Sequence, residues 1–222
     1  MGFMLREGLF CCETGGHFVF LDIKRDRYLA LDREAERSFR RWFERKPLST
    51  EDDAALHRLA GSGLLGAAPN GARAQLCFAP PLPERSLIDE QHRPVRAGAL
   101  AHALGRLALG ALELRRSSLE SSLERLKRRK AGVAEPSGRA ACALPRVAAA
   151  FKHSAFIASS LDRCLPRSLA IAHVLLDLNV RPMLVIAVRL QPFGAHCWVQ
   201  HECTLVNESL DNVRNFTPIL VV

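Results

Sequence analysis

The sequence predicts an α+β protein made of two domains. Short strand-like stretches followed by helices open the chain, and a helix followed by three strand-like stretches closes it. A proline-rich segment between them is typical of a linker. We therefore expect domains at residues 1–70 and 95–222 and a linker at residues 71–94. In the second domain, helices should pack on an antiparallel sheet.

The composition is that of a folded globular protein. Of the 222 residues, 48% are apolar and 24% are charged, which argues against disordered and fibrous classes. The formal charge of +8 comes from two basic runs, residues 33–46 and 115–130, which we interpret as solvated helix faces. Aromatic residues make up only 6%, so neither run offers the stacking platform of a single-strand binder, and no nucleic-acid partner is expected. A basic surface that attracts an acidic peptide is the functional alternative.

The cysteines and the N-terminus indicate a reducing compartment. The seven cysteines are odd in number and irregular in spacing, and the first residues lack the charged and apolar regions of a signal peptide. The longest apolar stretch, residues 98–114, is interrupted by His102, Arg106 and Glu113 and is too short for a membrane span. We expect a cytoplasmic protein with free thiols, no stable membrane insertion and no cofactor.

Turn and capping residues set the elements of the first domain. Three strand-like stretches come first, at residues 3–11, 17–23 and 27–31. Asp32 can cap a helix over residues 33–45, and Ser49 or Thr50 can cap a second helix that stops near Gly61.

Helical patterns dominate the middle of the chain. They cover residues 95–126, with a break near Ser117 and Ser118, and part of residues 140–160. Their leucine and alanine stripes are typical of packing faces. We assign no chemistry to this region.

The last sixty or so residues change character. A helix opens around Cys164 and runs to about Leu178, and it tolerates Pro166 because that residue falls in the first turn. Three strand-like stretches follow, at residues 182–190, 196–200 and 203–207.

Cys164 is the candidate nucleophile. A thiol in the first turn of a helix faces unpaired backbone amides and the positive end of the helix dipole, which stabilise its thiolate. Arg163 and Arg167 flank it and can lower its pKa further. The alternative is a buried structural cysteine, because free cysteine is among the most buried residue types.

His196 is the candidate base, because it lies at the predicted start of a strand just after a flexible turn. A nucleophilic thiol needs an imidazole that takes its proton and later protonates the leaving amine. Glu208 follows the next strand and can orient the ring if the two strands pair, and Asp211 is the second candidate for that role. The alternative for His196 is an ordinary strand histidine.

Four short motifs surround these residues. They are Cys164-Leu165-Pro166-Arg167-Ser168-Leu169-Ala170, Gln191-Pro192-Phe193, His196-Cys197-Trp198-Val199-Gln200 and Val206-Asn207-Glu208. Together they resemble the B protein of lasso-peptide biosynthesis over about residues 140–222. The resemblance implies a papain/transglutaminase-like cysteine protease with Cys164 and His196 as its reactive pair. Glu208 replaces the aspartate of the family as third catalytic residue, and Gln200 replaces an acid that we interpret as peripheral.

The N-terminal domain carries the second part of this resemblance. The run from Phe18 to Ile23, the charged turn Lys24-Arg25-Asp26 and the run from Arg27 to Leu31 resemble the small winged-helix-like domain that recognises leader peptides. In that family the leader adds a strand beside the third strand and packs against the last helix. The corresponding substrate-binding residues are Tyr28, Leu29, Leu31, Leu56 and Leu59. The alternative is that these side chains only build the core of the domain.

The resemblance implies a leader peptidase of peptide natural-product maturation. Its partners would be a ribosomally made precursor peptide and a separate ATP-using macrolactam synthetase, which couples the amine that cleavage frees. A transglutaminase-type acyl transferase and a catalytically inactive leader-binding adaptor are the alternatives. A zinc site at Cys197, His201 and Cys203 is disfavoured because a hairpin turn should separate these residues, so no metal is expected.

Overall fold

The chain divides into two compact units, Met1–Cys77 and Phe78–Val222. The computed structural model describes residues 2–68, 76–90, 94–133, 140–157 and 164–222. The second unit begins well before residue 95, where the sequence placed the start of the C-terminal domain. Part of the expected linker therefore belongs to this unit.

The described part of the N-terminal unit contains five strands and two helices. In chain order they are β1 (Gly2–Leu5), β2 (Leu9–Thr14), β3 (His17–Asp22), β4 (Arg27–Ala30), α1 (Arg33–Phe43), α2 (Thr50–Gly61) and β5 (Leu65–Ala68). Strands β2, β3 and β4 form an antiparallel sheet in that order, with β4 at one edge. Strand β1 pairs with β5 in a separate two-stranded sheet.

The first predicted strand of this unit is in fact two strands. Gly8 has a φ of 80° and turns the chain between β1 and β2. Arg6 holds the corner, because its guanidinium donates to the Asp22 carboxylate at 2.6 Å and to the Gly63 carbonyl at 2.9 Å. The sequence prediction of a single strand over residues 3–11 is wrong for this reason.

The two helices begin where the sequence predicts. Asp32 accepts a hydrogen bond from the Ala35 backbone N–H at 2.9 Å and caps α1. Ser49 caps α2 through a capping box with Asp52, in which each side chain accepts from the backbone N–H of the other residue. These caps fix the N-termini of both helices.

The described part of the C-terminal unit contains five strands and five helices. They are β6 (Arg85–Ser86), α3 (Ala97–Arg116), α4 (Leu119–Ala131), α5 (Ala140–Ser154), α6 (Cys164–Asp177), β7 (Met183–Arg189), β8 (Gly194–His201), β9 (Thr204–Leu205), α7 (Leu210–Val213) and β10 (Thr217–Val221). The sheet order is β10-β7-β8-β9-β6. The first four strands pair antiparallel, whereas β6 pairs parallel to β9.

These elements confirm most of the expected helices and strands and add others. The break between α3 and α4 falls at Ser117 and Ser118, as predicted, and Ser118 caps α4. Strand β9 is shorter than the expected stretch at residues 203–207, and β6, α7 and β10 were not predicted. The mixed edge formed by β6 and β9 corrects the expectation of a purely antiparallel sheet.

Helix α6 runs through the middle of the unit. It contacts α3, α4, α5 and the strands β7 and β8. Every side chain from Ser168 to Leu176 is buried, which explains why its apolar residues occur all round the helix and not in one stripe. A helix held on all sides gives the residue at its first turn a defined position.

None of the helices in the described residues is long and apolar enough to cross a lipid bilayer.

Gln200 fastens the start of the unit to the sheet. Its side chain is fully buried, and its amide nitrogen donates to the carbonyls of Pro81 at 2.9 Å and Glu202 at 3.0 Å. Its amide oxygen accepts from the indole N–H of Trp198 at 3.1 Å. A carboxylate can donate to neither carbonyl, so this site requires an amide. Gln200 therefore has a structural role in the sheet, and its side chain bonds none of the three candidate catalytic residues.

Replacing Gln200 by glutamate should lower the free energy of unfolding of the C-terminal unit by about 1–3 kcal/mol, because the carbonyls of Pro81 and Glu202 lose their donor and a carboxylate takes the place of a fully buried amide. Urea unfolding followed by the fluorescence of Trp198, in a Trp42→Phe background, measures the change. Glu202→Gln alters an exposed neighbouring side chain and is the matched control. Equal midpoints for Q200E and the control would contradict the expected role of the amide.

Candidate active site

Helix α6 places Cys164 beside strand β8. Ser168 lies one turn further along the same face of the helix and is fully buried. Its hydroxyl donates to the Cys197 carbonyl at 2.9 Å. This bond ties the first turns of α6 to the strand that carries His196.

Asn207 completes the connection between helix and strand. Its amide nitrogen donates to the Ser168 hydroxyl at 3.0 Å, and its amide oxygen accepts from the Val199 backbone N–H at 2.7 Å. The Asn207 side chain thus forms hydrogen bonds with a helix side chain and with a strand backbone at the same time. It also fixes the backbone immediately before Glu208.

Glu208 meets His196 as the sequence predicts. A Glu208 carboxylate oxygen forms a short hydrogen bond with Nε2 of His196, and the other oxygen accepts from the Ser209 backbone N–H at 2.9 Å. The Asn212 amide nitrogen lies 3.5 Å from the same imidazole nitrogen. The Ser86 hydroxyl donates to the Glu208 carbonyl at 2.8 Å and holds the backbone from the other side.

Two aromatic rings shield the imidazole. The Phe216 ring centroid lies 5.3 Å from that of His196, and the Trp198 centroid lies 6.1 Å away. The Arg189 guanidinium covers Phe216 at 5.2 Å from its centroid. The pair of His196 and Glu208 is consequently mostly shielded from water, with 18% and 16% of their side chains exposed.

The thiol and the imidazole shift each other's pKa. Burial raises the pKa of the Cys164 thiol, but a hydrogen bond to His196, the charge of His196 and the backbone amides of Cys197 and Leu165 outweigh it and hold the pKa below its usual value. Burial lowers the pKa of His196, but its hydrogen bonds to Cys164 and Glu208 and their charges raise it to about 9. The two shifts together favour a thiolate paired with an imidazolium more than in an isolated thiol and imidazole.

The carboxylate of Glu208 is ionised in this arrangement. Burial raises its pKa, but the hydrogen bonds from His196 and from the Ser209 backbone hold the pKa below its usual value. Because Nε2 of His196 faces Glu208, the other ring nitrogen is left for the thiol. The three side chains can therefore form a nucleophile, a base and an orienting acid.

Other residues that the sequence singled out lie elsewhere. The Asp211 side chain is 97% exposed and lies 3.6 Å from Arg214, so it does not contact His196. Arg167 donates to the Phe151 carbonyl on α5, and its charge is not among the causes of the lowered Cys164 pKa. Arg163 lies outside the described residues.

The five candidate leader-binding residues divide into two groups. Leu56 has no exposed surface and Leu59 retains 8%, so both belong to the core of the N-terminal unit. Tyr28, Leu29 and Leu31 are half-buried on and just after β4. The second group lies at the edge of the sheet, and its Leu29 and Leu31 pack against the core that contains Leu56 and Leu59.

A turn separates Cys197 and His201 from Cys203, the set of residues that the sequence analysis disfavoured as a zinc site. Cys197 is buried in β8, and Cys203 lies beyond the turn at Glu202, whose φ is 50°. Within the described residues, no group of three or more histidine, cysteine or acidic side chains can hold a metal ion.

Sequence reasoning missed the roles of Ser168, Asn207 and Phe216. Ser168 follows Cys164 by four positions, a spacing that places both on one helix face and offered a signal. The Asn207 and Phe216 side chains reach the site through tertiary contacts that no local pattern indicates.

The alkylation rate of Cys164 should depend on His196. His196→Ala removes the hydrogen bond and the charge that stabilise the thiolate, so iodoacetamide should react with Cys164 about tenfold more slowly at neutral pH. Peptide mass spectrometry gives the rate at each thiol. The exposed Cys142 is the internal reference, and its rate should not change. Equal rates at Cys164 in both proteins would contradict the ion pair.

The comparisons with known proteins bear on the C-terminal unit. A model of the transglutaminase-like superfamily matches residues 106–221, a span that includes Cys164, His196 and Glu208. No curated protein and no solved structure matches the chain. The packing of α6 against antiparallel strands fits the papain-like fold, and the match indicates chemistry of the cysteine peptidase or acyltransferase type. Since the match covers just over half of the 222 residues, the chain belongs to the transglutaminase-like superfamily.

Proposed function

We propose that the protein is a cysteine peptidase that binds the leader of a lasso-peptide precursor and cleaves it at the junction of leader and core. The observation that carries this proposal is the alignment of Cys164, His196 and Glu208, with a thiol pKa that is lowered and an imidazole pKa that is raised. The four motifs around these residues point to the lasso-peptide class.

In the first half of the reaction, the Cys164 thiolate attacks the carbonyl carbon of the junction peptide bond. The carbon–nitrogen bond breaks as the His196 imidazolium gives its proton to the leaving amine. The core departs with a free N-terminus, and the leader stays on the sulfur as a thioester. Glu208 keeps the imidazole oriented while its charge changes.

In the second half, water attacks the thioester and His196 accepts the proton. The leader leaves as a carboxylic acid and the thiolate returns. The freed amine is the group that a separate macrolactam synthetase would couple to an acidic side chain of the core. We place this chemistry in the cytoplasm, because a reducing compartment keeps a cysteine nucleophile as the free thiol.

The N-terminal unit suits capture of an extended peptide. Among the described strands, β4 is at an edge of the β2-β3-β4 sheet, which is the position at which a further strand can add to a sheet. Tyr28, Leu29 and Leu31 would then contact alternate side chains of the leader, and Leu56 and Leu59 would support the groove. Its winged-helix-like character and its leader-binding role are parts of the proposal.

Incubation of a lasso-class precursor peptide with the protein should release leader and core, and Cys164→Ala should abolish release because the thioester cannot form. Mass spectrometry of the products measures this. In water labelled with heavy oxygen, hydrolysis places the label on the new leader carboxylate. Transfer of the leader to an added amine without label would favour the acyltransferase alternative, and equal release by C164A would rule out Cys164 as nucleophile.

Cleavage should fall above about pH 9, where His196 loses the proton that it must give to the leaving amine. Glu208→Gln removes a charge that raises the pKa of His196, so this falling limb should move to lower pH. The same change should reduce kcat by roughly 10²–10⁴-fold. Asp211→Asn is the matched control on an exposed acid and should leave both quantities unchanged. Loss of activity only in D211N would assign the third role to Asp211.

A further inference from the structure

Helices α3, α4 and α6 of the C-terminal unit line an open cavity of about 380 Å³. Basic side chains from all three helices line it, together with apolar ones from α3 and α6. The residues that the argument uses are Arg106, Arg116, Arg125, His173, Leu109 and Leu112.

The cavity lies on the face of α6 opposite to the thiol. Ala170 and His173 of α6 line it, whereas Cys164 and Ser168 face β8. Helix α3 approaches closely here, because a Cβ added at Gly110 would lie 3.4 Å from the Pro166 carbonyl oxygen. The cavity is therefore a site separate from the candidate active site.

The charges at this cavity do not balance. Arg106 lies 3.8 Å from Asp177, and Arg125 lies 2.7 Å from Glu113. Arg129 donates to His173 Nδ1 at 2.8 Å and also pairs with Asp177. The remaining arginine, Arg116, forms no ion pair with any residue in the described part of the chain.

Among the described residues, the four guanidinium groups of Arg106, Arg116, Arg125 and Arg129, at and beside the cavity, thus share two ion-paired carboxylates, and within this set of side chains two positive charges are in excess. The excess positive charge affects the pKa of His173. Burial and the charges of Arg129 and Arg106 lower its pKa to about 4, so it is a neutral acceptor for Arg129 at neutral pH. The basic run at residues 115–130 is therefore only partly a solvated helix face.

We propose that this cavity binds a phosphate-bearing small molecule. Its phosphate would lie among Arg106, Arg116 and Arg125, because a phosphate near neutral pH carries close to two negative charges and guanidinium groups bind it through paired N–H donors. Its apolar part would lie against Leu109 and Leu112, whose side chains are exposed at the cavity. The site is independent of the proposed peptidase function.

Phenyl phosphate, inorganic phosphate and benzoate are the probes that test this site. Calorimetric titration of the full chain at constant ionic strength should show saturable binding of phenyl phosphate, weaker binding of inorganic phosphate and none of benzoate. Binding should also raise the pKa of His173, measured by NMR titration of its ring, because a bound dianion offsets the surrounding charge. Saturation by benzoate as tight as that by phenyl phosphate would overturn the phosphate assignment, and equal affinity for the two phosphates would overturn the apolar contact.

A matched pair of variants locates the site. Arg116 and Arg115 are adjacent exposed arginines in the last turn of α3, but only Arg116 lines the cavity. Arg116→Ala should weaken phenyl phosphate binding about tenfold, whereas Arg115→Ala should leave it unchanged. Absence of saturable phosphate binding by the wild type, or equal losses in R116A and R115A, would overturn the proposal.

Discussion

The hydrogen bond from the buried Ser168 hydroxyl to the Cys197 carbonyl is the constraint on which the candidate site depends. It joins a helix to a strand across 29 positions of sequence, and the thiol and the imidazole sit on these two elements. Asn207 reinforces it by bonding both the helix hydroxyl and the strand backbone. Proton transfer between Cys164 and His196 requires a separation fixed to a fraction of an ångström, and a buried, fully satisfied network supplies that rigidity.

Local chemistry made part of this structure predictable from the sequence. Asp32 and Ser49 cap helices through their own neighbours, and the helix that begins at Cys164 shows itself in a first-turn proline and an apolar run. The three candidate catalytic residues could be predicted because the helix, the strand and the acid that carry them follow one another along the chain. Strand β6 could not be predicted, because a two-residue strand has no periodicity and its partner β9 lies more than a hundred positions away. The complete burial of Leu56 could not be predicted from the sequence either, because alternation and helical spacing do not distinguish a core side chain from one that contacts a ligand.

The two basic runs show how far charge alone can be interpreted. In the first run, Arg40 lies 2.5 Å from Glu13 and 3.4 Å from Glu36, so its charge is neutralised within the N-terminal unit. In the second run, Arg125 and Arg129 lie one helical turn apart and pair with Glu113 of α3 and Asp177 of α6, whereas Arg116 has no ion pair within the described residues. Both runs look alike in the sequence. The difference arises from which acidic residues the fold brings near, and a count of charges cannot supply that.

The hydrogen bonds of Pro81 and Ser86 determine how short the C-terminal unit can be made without loss of contacts to its sheet. The Pro81 carbonyl accepts a hydrogen bond from the Gln200 amide, and the Ser86 hydroxyl donates to the Glu208 carbonyl. Both residues precede α3 in the chain. A gene that encodes this unit alone must therefore retain the codons from Pro81 onward. A protein that began at residue 95 would keep Cys164, His196 and Glu208 but would lose the Ser86 hydroxyl that bonds the Glu208 carbonyl. A version of this unit that begins just upstream of Pro81 keeps both hydrogen bonds.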